Sequence, residues 1–169
     1  MAKKEAPILR TQRLMLRRKT EKDIPFMLDL FNNDDVRRYL GGYPPRDEHS
    51  MLRMIRGRRD TEWVAALVDT DEYIGECMLL KTVDGYLGEI GYYFRRNFWG
   101  LGYAEETARE IMRYSSETLH LKRLCATIDK NNARSRRLIE KLAFDLIAIL
   151  PEADFGGRVA DVAYYTRLL

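Results

Sequence analysis

The sequence predicts an α/β (α+β) domain: a central mixed, mostly antiparallel sheet of about seven strands with helices on both faces. Three observations carry this. Strand-like runs at 63–68, 73–81 and 89–94 follow one another with only Asp69-Thr70-Asp71 and Asp84-Gly85 between them, an antiparallel meander. The last run then enters a glycine turn and an amphipathic helix, and a further strand follows at 123–128, the order of a strand–helix–strand crossover. The length of 169 residues, 46% hydrophobic and 33% charged, suits a single domain over 1–169 with a real core.

Leu14-Met15-Leu16 between arginines is a short first strand. Thr20 as N-cap with Asp23 three residues on, a variant of the capping box, starts a helix carrying Ile24, Met27, Leu28, Leu30 and Phe31 and fraying at Asn32-Asn33. A second short helix holds Val36, Tyr39 and Leu40 and ends at Gly41-Gly42, where Pro44-Pro45 blocks continuation. The stretch 46–59 is a third helix with Met51, Leu52, Met54 and Ile55 as its stripe. In 89–94, Ile90, Tyr92 and Phe94 alternate with Glu89, Gly91 and Tyr93. Beyond the turn, Ala104, Ala108, Ile111, Met112, Ser115 and Leu119 share one helix face, and Glu105 and Glu106 in the first turn suit the helix dipole. Residues 131–143 form the last helix, and 144–150 and 158–168 close the sheet as two strands around Phe155-Gly156-Gly157.

The bulk numbers exclude several classes. No apolar run reaches membrane-spanning length, and the opening MAKKEAPILR has two lysines with no apolar core behind them, so neither a span nor a signal peptide is expected. Cys77 and Cys125 lie in strand-like runs without Cys-x-x-Cys spacing; they read as buried thiols of a cytoplasmic protein. His49 and His120 are the only histidines, and no metal site is expected. A net charge of +3 is mild. With no aromatic RNA-binding signature and no long basic run, nucleic-acid binding as a sole function is disfavoured.

The chemistry concentrates in Trp99-Gly100-Leu101-Gly102-Tyr103-Ala104. Glycines let backbone approach closely, and the first N–H groups of a helix lack internal partners, so this turn suits a phosphate or pyrophosphate. The plain alternative is a tight strand–helix turn holding nothing. A P-loop fails, because Tyr103-Ala104 stands where Lys-Ser/Thr is needed; a dinucleotide fingerprint fails, because Glu105 stands at the third small position. The spacing instead resembles the acyl-CoA signature of the GNAT N-acetyltransferases, Gln/Arg-x-x-Gly-x-Gly/Ala, with Gly102 and Ala104 in the small positions and Trp99 departing from Gln/Arg. The Trp-Gly-x-Gly-Tyr-Ala form, and the opening Thr11-Gln12-Arg13-Leu14-Met15-Leu16-Arg17, look like the branch of ribosomal-protein N-terminal acetyltransferases, the Rim type. A second motif, Asn131-Asn132-Ala133-Arg134-Ser135 followed by Lys141-Leu142-Ala143-Phe144, resembles the family's Asn-x-x-Ser/Ala…Lys-Leu-Gly-Phe, with Ala143 where glycine is usual. The resemblance runs from about Thr11 to the C-terminus.

The resemblance implies a three-layer fold and an enzyme that moves acetyl from its cosubstrate acetyl-CoA to a primary amine, a protein N-terminus or a small molecule, by direct attack in a ternary complex. It implies two splayed strands near Phe94, pantetheine contacts from the backbone of Tyr92, Tyr93 and Phe94 and from Asn132, and pyrophosphate on Trp99, Gly100, Leu101, Gly102, Tyr103 and Ala104, with Arg95 and Arg96 either adding charge or simply solvated. Glu89 is the candidate general base, with Glu76 as runner-up and a solvated strand-end carboxylate as the alternative. The family's usual tyrosine, seven residues after the motif asparagine, is replaced by Ile139; Ser135 is the substitute donor to the departing sulfur, or a residue packed in its helix turn. Asp29, Asp34, Asp35, Asp47 and Glu48 are candidates to attract a cationic acceptor, or are solvated surface. A non-catalytic acyl-CoA sensor is the competing function. No DNA or membrane partner is expected, and a homodimer is among the assemblies the family forms.

Overall fold

Alternating apolar residues set the sheet, and helix caps set where the chain leaves it. The computed structural model describes residues 6–40, 46–57 and 60–169. Eight strands, β1 (Leu9–Arg10), β2 (Leu14–Arg17), β3 (Glu62–Leu67), β4 (Tyr73–Lys81), β5 (Leu87–Phe94), β6 (Arg123–Asp129), β7 (Asp145–Phe155) and β8 (Arg158–Leu168), form one sheet in the order β1-β2-β3-β4-β5-β6-β8-β7. Only β5 and β6 are parallel; every other neighbouring pair is antiparallel.

The helices divide between the two faces. α4 (Tyr103–Glu117) and α5 (Ala133–Lys141) bury Ala108, Ile111 and Ile139 against Trp63, Leu79, Ile90, Leu124 and Tyr165. On the other face α1 (Ile24–Asn32), α2 (Asp34–Arg37) and α3 (Glu48–Arg56) bury Met27, Leu30, Val36 and Met51 against Val64, Ala66 and Tyr73. This is the predicted three-layer architecture. Trp63 and Val64 are adjacent and feed opposite cores, as the two-residue period of a strand requires.

The differences from expectation are local. β1 is an added strand of two residues, too short for any alternation to reveal. The Thr20–Asp23 capping box is present, but it opens a single 3₁₀ turn, Glu21–Asp23, before α1. Asn33 does not fray; its side chain caps α2, accepting from Asp35 N–H at 3.1 Å and Val36 N–H at 3.3 Å. α3 spans Glu48–Arg56, while Gly41-Gly42, Pro44-Pro45 and Arg58-Arg59 lie outside the described residues. β7 continues past Leu150 to Phe155, crossing Pro151 with a register shift, which an edge strand tolerates because that side needs no ladder N–H. Among the described residues no helix is long and apolar enough to cross a membrane.

Candidate active site

The site begins where the sheet opens. β5 and β6 pair at Leu87↔Arg123, Gly88↔Leu124 and Glu89↔Cys125 and no further, although both strands continue. From Ile90 and Ala126 onward a gap separates them. The Arg95 N–H donates to Ile74 O on β4 at 2.9 Å. By strand alternation, then, the backbone groups of Tyr93 face β4, while those of Tyr92 and Phe94 face the gap. The Phe94 carbonyl is already taken by Trp99 Nε1 at 2.7 Å. The backbone groups free to face the gap are therefore those of Tyr92 and the Phe94 N–H, and the Tyr93 side chain packs on the α1–α3 face.

At the open end of the gap lies the glycine turn. Gly100 (φ +78°) and Gly102 (φ +84°) both adopt the left-handed region that side chains resist. Gly102 is the N-cap of α4, with no side chain capping the helix, and the first helical bond is from Glu106 N–H to Gly102 O at 3.0 Å. Among the described residues, the N–H groups of residues 100–105 make no hydrogen bond. Six successive unused donors around two left-handed glycines are an arrangement that suits an anion. The acids beside it are neutralised: Glu105 by Arg109 (2.9 Å) and Lys141 (2.6 Å), Glu106 by Arg13 (2.7 Å). The Arg13 guanidinium also donates to Leu101 O at 3.0 Å and stacks over Tyr103 at 4.3 Å, bracing the turn from the N-terminal hairpin. The Trp99 ring is covered by the guanidinium groups of Arg96 (4.8 Å) and Arg134 (4.4 Å), which ties the turn to α5. Arg134 has no carboxylate partner among the described residues, so its charge is available to an anion here.

The start of α5 supplies the other wall. Asn132 caps it, accepting from Ser135 N–H at 3.1 Å. Ser135 Oγ lies 3.0 Å from the Tyr92 hydroxyl. Burial pushes the Tyr92 phenol up to about 12, against a smaller downward pull from the Ser135 hydrogen bond. Ile139 is fully buried in the core and brings no polar group.

Glu89 stands on the opposite face of β5, on the last parallel pair before the gap. It makes no hydrogen bond or ion pair among the described residues. Its charge adds to burial in pushing the Cys125 thiol up, against a smaller downward pull from the Tyr164 hydroxyl. Farther along the same face, Gly91 lacks a side chain between Glu89 and Tyr93, and Met78 lies over it, 3.2 Å from where a Cβ would stand. Beyond Met78 is a cavity of about 190 Å³ lined by Lys19, Phe31, Met54, Glu62, Glu76 and Tyr93, among others. Glu76 is buried there and engaged twice, by Lys19 Nζ at 2.7 Å and Tyr73 OH at 2.9 Å. Burial pulls the Lys19 pKa down, but Glu76 and Glu62 outweigh it and hold the ammonium above its ordinary value. Glu76 is thus half of a buried ion pair rather than a free base.

Other sequence candidates lie elsewhere. Arg95 bonds Asp29 (2.8 Å) and Tyr73 O (3.1 Å) and stacks on Phe26; it ties α1 to the sheet. Arg96 pairs with Asp35 at 3.2 Å. Neither arginine is simply solvated, and Asp29 and Asp35 spend their charge on them. Asp47 caps α3 through Ser50 N–H at 2.7 Å. Among the described residues no three His, Cys, Asp or Glu stand together as a metal site. Sequence reasoning missed Arg13, Arg134 and the Tyr92 hydroxyl. Only Arg134 carried a signal, its place between Asn132 and Ser135.

Comparison with known proteins gives three kinds of match. The acetyltransferase (GNAT) domain family matches residues 13–145. An uncharacterized N-acetyltransferase of Bacillus licheniformis, p20, is 29% identical over 170 residues, 95% of each chain. A GNAT-family acetyltransferase structure from Bacillus anthracis superposes with a TM-score of 0.86 at 22% identity, over 96% of this chain and 98% of that one. The ribosomal L7/L12 α-N-protein acetyltransferase RimL, solved with coenzyme A, gives 0.81 at 19% identity over 96% and 98%.

Proposed function

Since this chain belongs to the GNAT family of acetyl-CoA-dependent N-acetyltransferases, we propose that it acetylates a primary amine of the Rim-type class, a protein N-terminal α-amine or a compact small-molecule amine, within a ternary complex. The observation that carries this is the gap opening immediately after Glu89↔Cys125 with six unused N–H groups at its far end. The pyrophosphate is taken by residues 100–105 with Arg134 beside it. Pantetheine follows the gap along Tyr92 toward the closed end and meets Asn132 on the way. The likeness in fold to RimL solved with coenzyme A supports the same occupant.

The acceptor enters from the other face, through the cavity and across Gly91. A dry cavity of about 150 Å³ holds benzene, so about 190 Å³ suits one residue or a small amine. Attack on the thioester carbonyl forms the C–N bond and breaks the C–S bond, with the electron pair leaving on sulfur. Glu89 takes the amine proton, directly or through water; it is an unpaired carboxylate on the acceptor face, which favours it over Glu76. Ser135 donates to the departing sulfur. An α-amine has a pKa near ~8 and a lysine near ~10.4. The α-amine is therefore neutral roughly two orders of magnitude more often at pH 7, which suits a site with one modest base.

Ile139, apolar and buried where the usual tyrosine would stand, favours a second reading: an acyl-CoA sensor. Thiol release from acetyl-CoA, followed with N-terminal peptides, lysine peptides, polyamines and small amines, separates the two. Turnover with an α-amine or a compact amine, falling about 100-fold in Glu89→Gln, is expected. Binding without turnover of any amine supports the sensor, and turnover confined to internal lysines contradicts the acceptor class.

A further inference from the structure

We propose that Tyr92 is a positioning residue for the leaving group: its phenol donates to Ser135 Oγ, leaving the Ser135 proton aimed at the departing sulfur. The inference rests on the acetyltransferase reading above. Two hydroxyls 3.0 Å apart share one hydrogen bond, so one of them keeps its proton free. Neither makes another bond to the described residues. A phenol is a far stronger acid than an aliphatic alcohol, so Tyr92 is the donor and Ser135 the acceptor. The remaining Ser135 proton then turns toward the gap. A donor that is itself accepting a hydrogen bond is polarised and donates more strongly.

The backbone holds this arrangement in place. Asn132 fixes the Ser135 N–H at 3.1 Å, and the Tyr92 ring packs on the core beneath α4 and α5. Tyr92 lies on β5 three residues past the last parallel pair, within the gap. A phenol thus reaches the first turn of α5 from the facing strand, while α5 itself offers only Ile139 two turns into the motif. Burial keeps the phenol protonated through the working pH range. The sulfur takes the C–S electron pair. A thiol with a pKa near ~8.5 is a much stronger acid than either hydroxyl, so the pair hydrogen-bonds the thiolate and does not protonate it. The thiolate leaves and takes a proton from water, and the amine proton held by Glu89 neutralises the hydroxide that this leaves, so one proton passes in net from amine to thiol.

The test compares wild type, Tyr92→Phe, Ser135→Ala and the double variant by two readouts. One is the ultraviolet titration of enzyme-bound CoA between thiol and thiolate; the other is kcat and KM for acetyl-CoA. In wild type the bound thiol should titrate at least about one unit below free CoA, and Tyr92→Phe should return half or more of that shift. Tyr92→Phe should lose about 10-fold in kcat with KM changed less than about 3-fold, and the double variant should be no worse than Ser135→Ala within about 2-fold. The ring is kept in Tyr92→Phe, so a merely structural role predicts an unmoved thiol titration. An unmoved titration and a kcat within about 2-fold of wild type, with turnover intact, overturn the proposal. Wild type that binds CoA but acetylates nothing overturns the acetyltransferase reading itself, a separate result in the same samples.

Discussion

Glu106 is held from three sides: Thr11 Oγ1 donates at 2.5 Å, the Arg13 N–H at 2.8 Å and Arg13 Nε at 2.7 Å. These contacts tie the N-terminal hairpin to the first turn of α4 and cancel a carboxylate that would otherwise repel phosphate. Burial pushes the Glu106 pKa up, but the Thr11 and Arg13 hydrogen bonds outweigh it and leave it below the ordinary value. A depressed folded pKa stabilises above the unfolded value, near ~4.3, and that stability is lost as pH falls through the folded one. Glu106→Gln should therefore lower stability by about 1 kcal/mol at pH 7, after allowance for the half-exposed Arg13. The deficit should shrink below about pH 4 in urea titrations; a deficit independent of pH would assign the loss to packing. The helix-dipole role of Glu106 was legible in the chain. Its partners were not, because Arg13 lies 93 residues away and no local pattern encodes that distance. The Tyr92–Ser135 contact, across 43 residues, was hidden for the same reason.

At the scale of elements, the end of α5 carries a visible strain. Phe144 N–H donates to Ile139 O at 3.1 Å, closing a Schellman motif whose left-handed residue is Ala143, φ +59°. A Cβ in that region costs roughly 1–2 kcal/mol, and glycine gives back part of the gain through unfolded-chain entropy. Ala143→Gly should stabilise by about 0.5–1 kcal/mol and raise Tm by about 1–4 °C; an unchanged or lower Tm would show that the surrounding packing prefers alanine. The motif was legible as Lys141-Leu142-Ala143-Phe144 because a helix end is a local event. β4 was legible to its last residue, since alternation and the flanking turns are local too. β7 was not: Leu146, Ile147, Ile149 and Leu150 are all 42% exposed or more, so burial does not mark its length. Two register shifts and Pro151 break the regularity of its free edge, a common defence against strand-to-strand association.

Across the whole molecule, the sheet of the described residues opens where β5 and β6 stop pairing. On the function proposed above, the cofactor lies toward α4 and α5 and the acceptor in the cavity under α1–α3, with Glu89 and Ser135 on opposite faces of the gap. Fold class and the glycine turn were readable because strand period and turn chemistry are properties of short segments. The gap itself was not, because it depends on where β5 and β6 stop pairing, and Ile90 and Ala126 look like ordinary strand residues. On the proposed function this opening, with the backbone donors of residues 100–105, holds acyl-CoA. Calorimetric titration of the protein with acetyl-CoA and with free CoA, beside Gly102→Glu, tests it most directly. One site per chain is expected, with a dissociation constant in the range of about 1 μM to 1 mM. Gly102→Glu, which brings a side chain and a negative charge into the turn beside Arg13, should lose at least about 10-fold. Wild-type protein that binds neither ligand, or a folded Gly102→Glu protein that binds both as well as wild type, would contradict it.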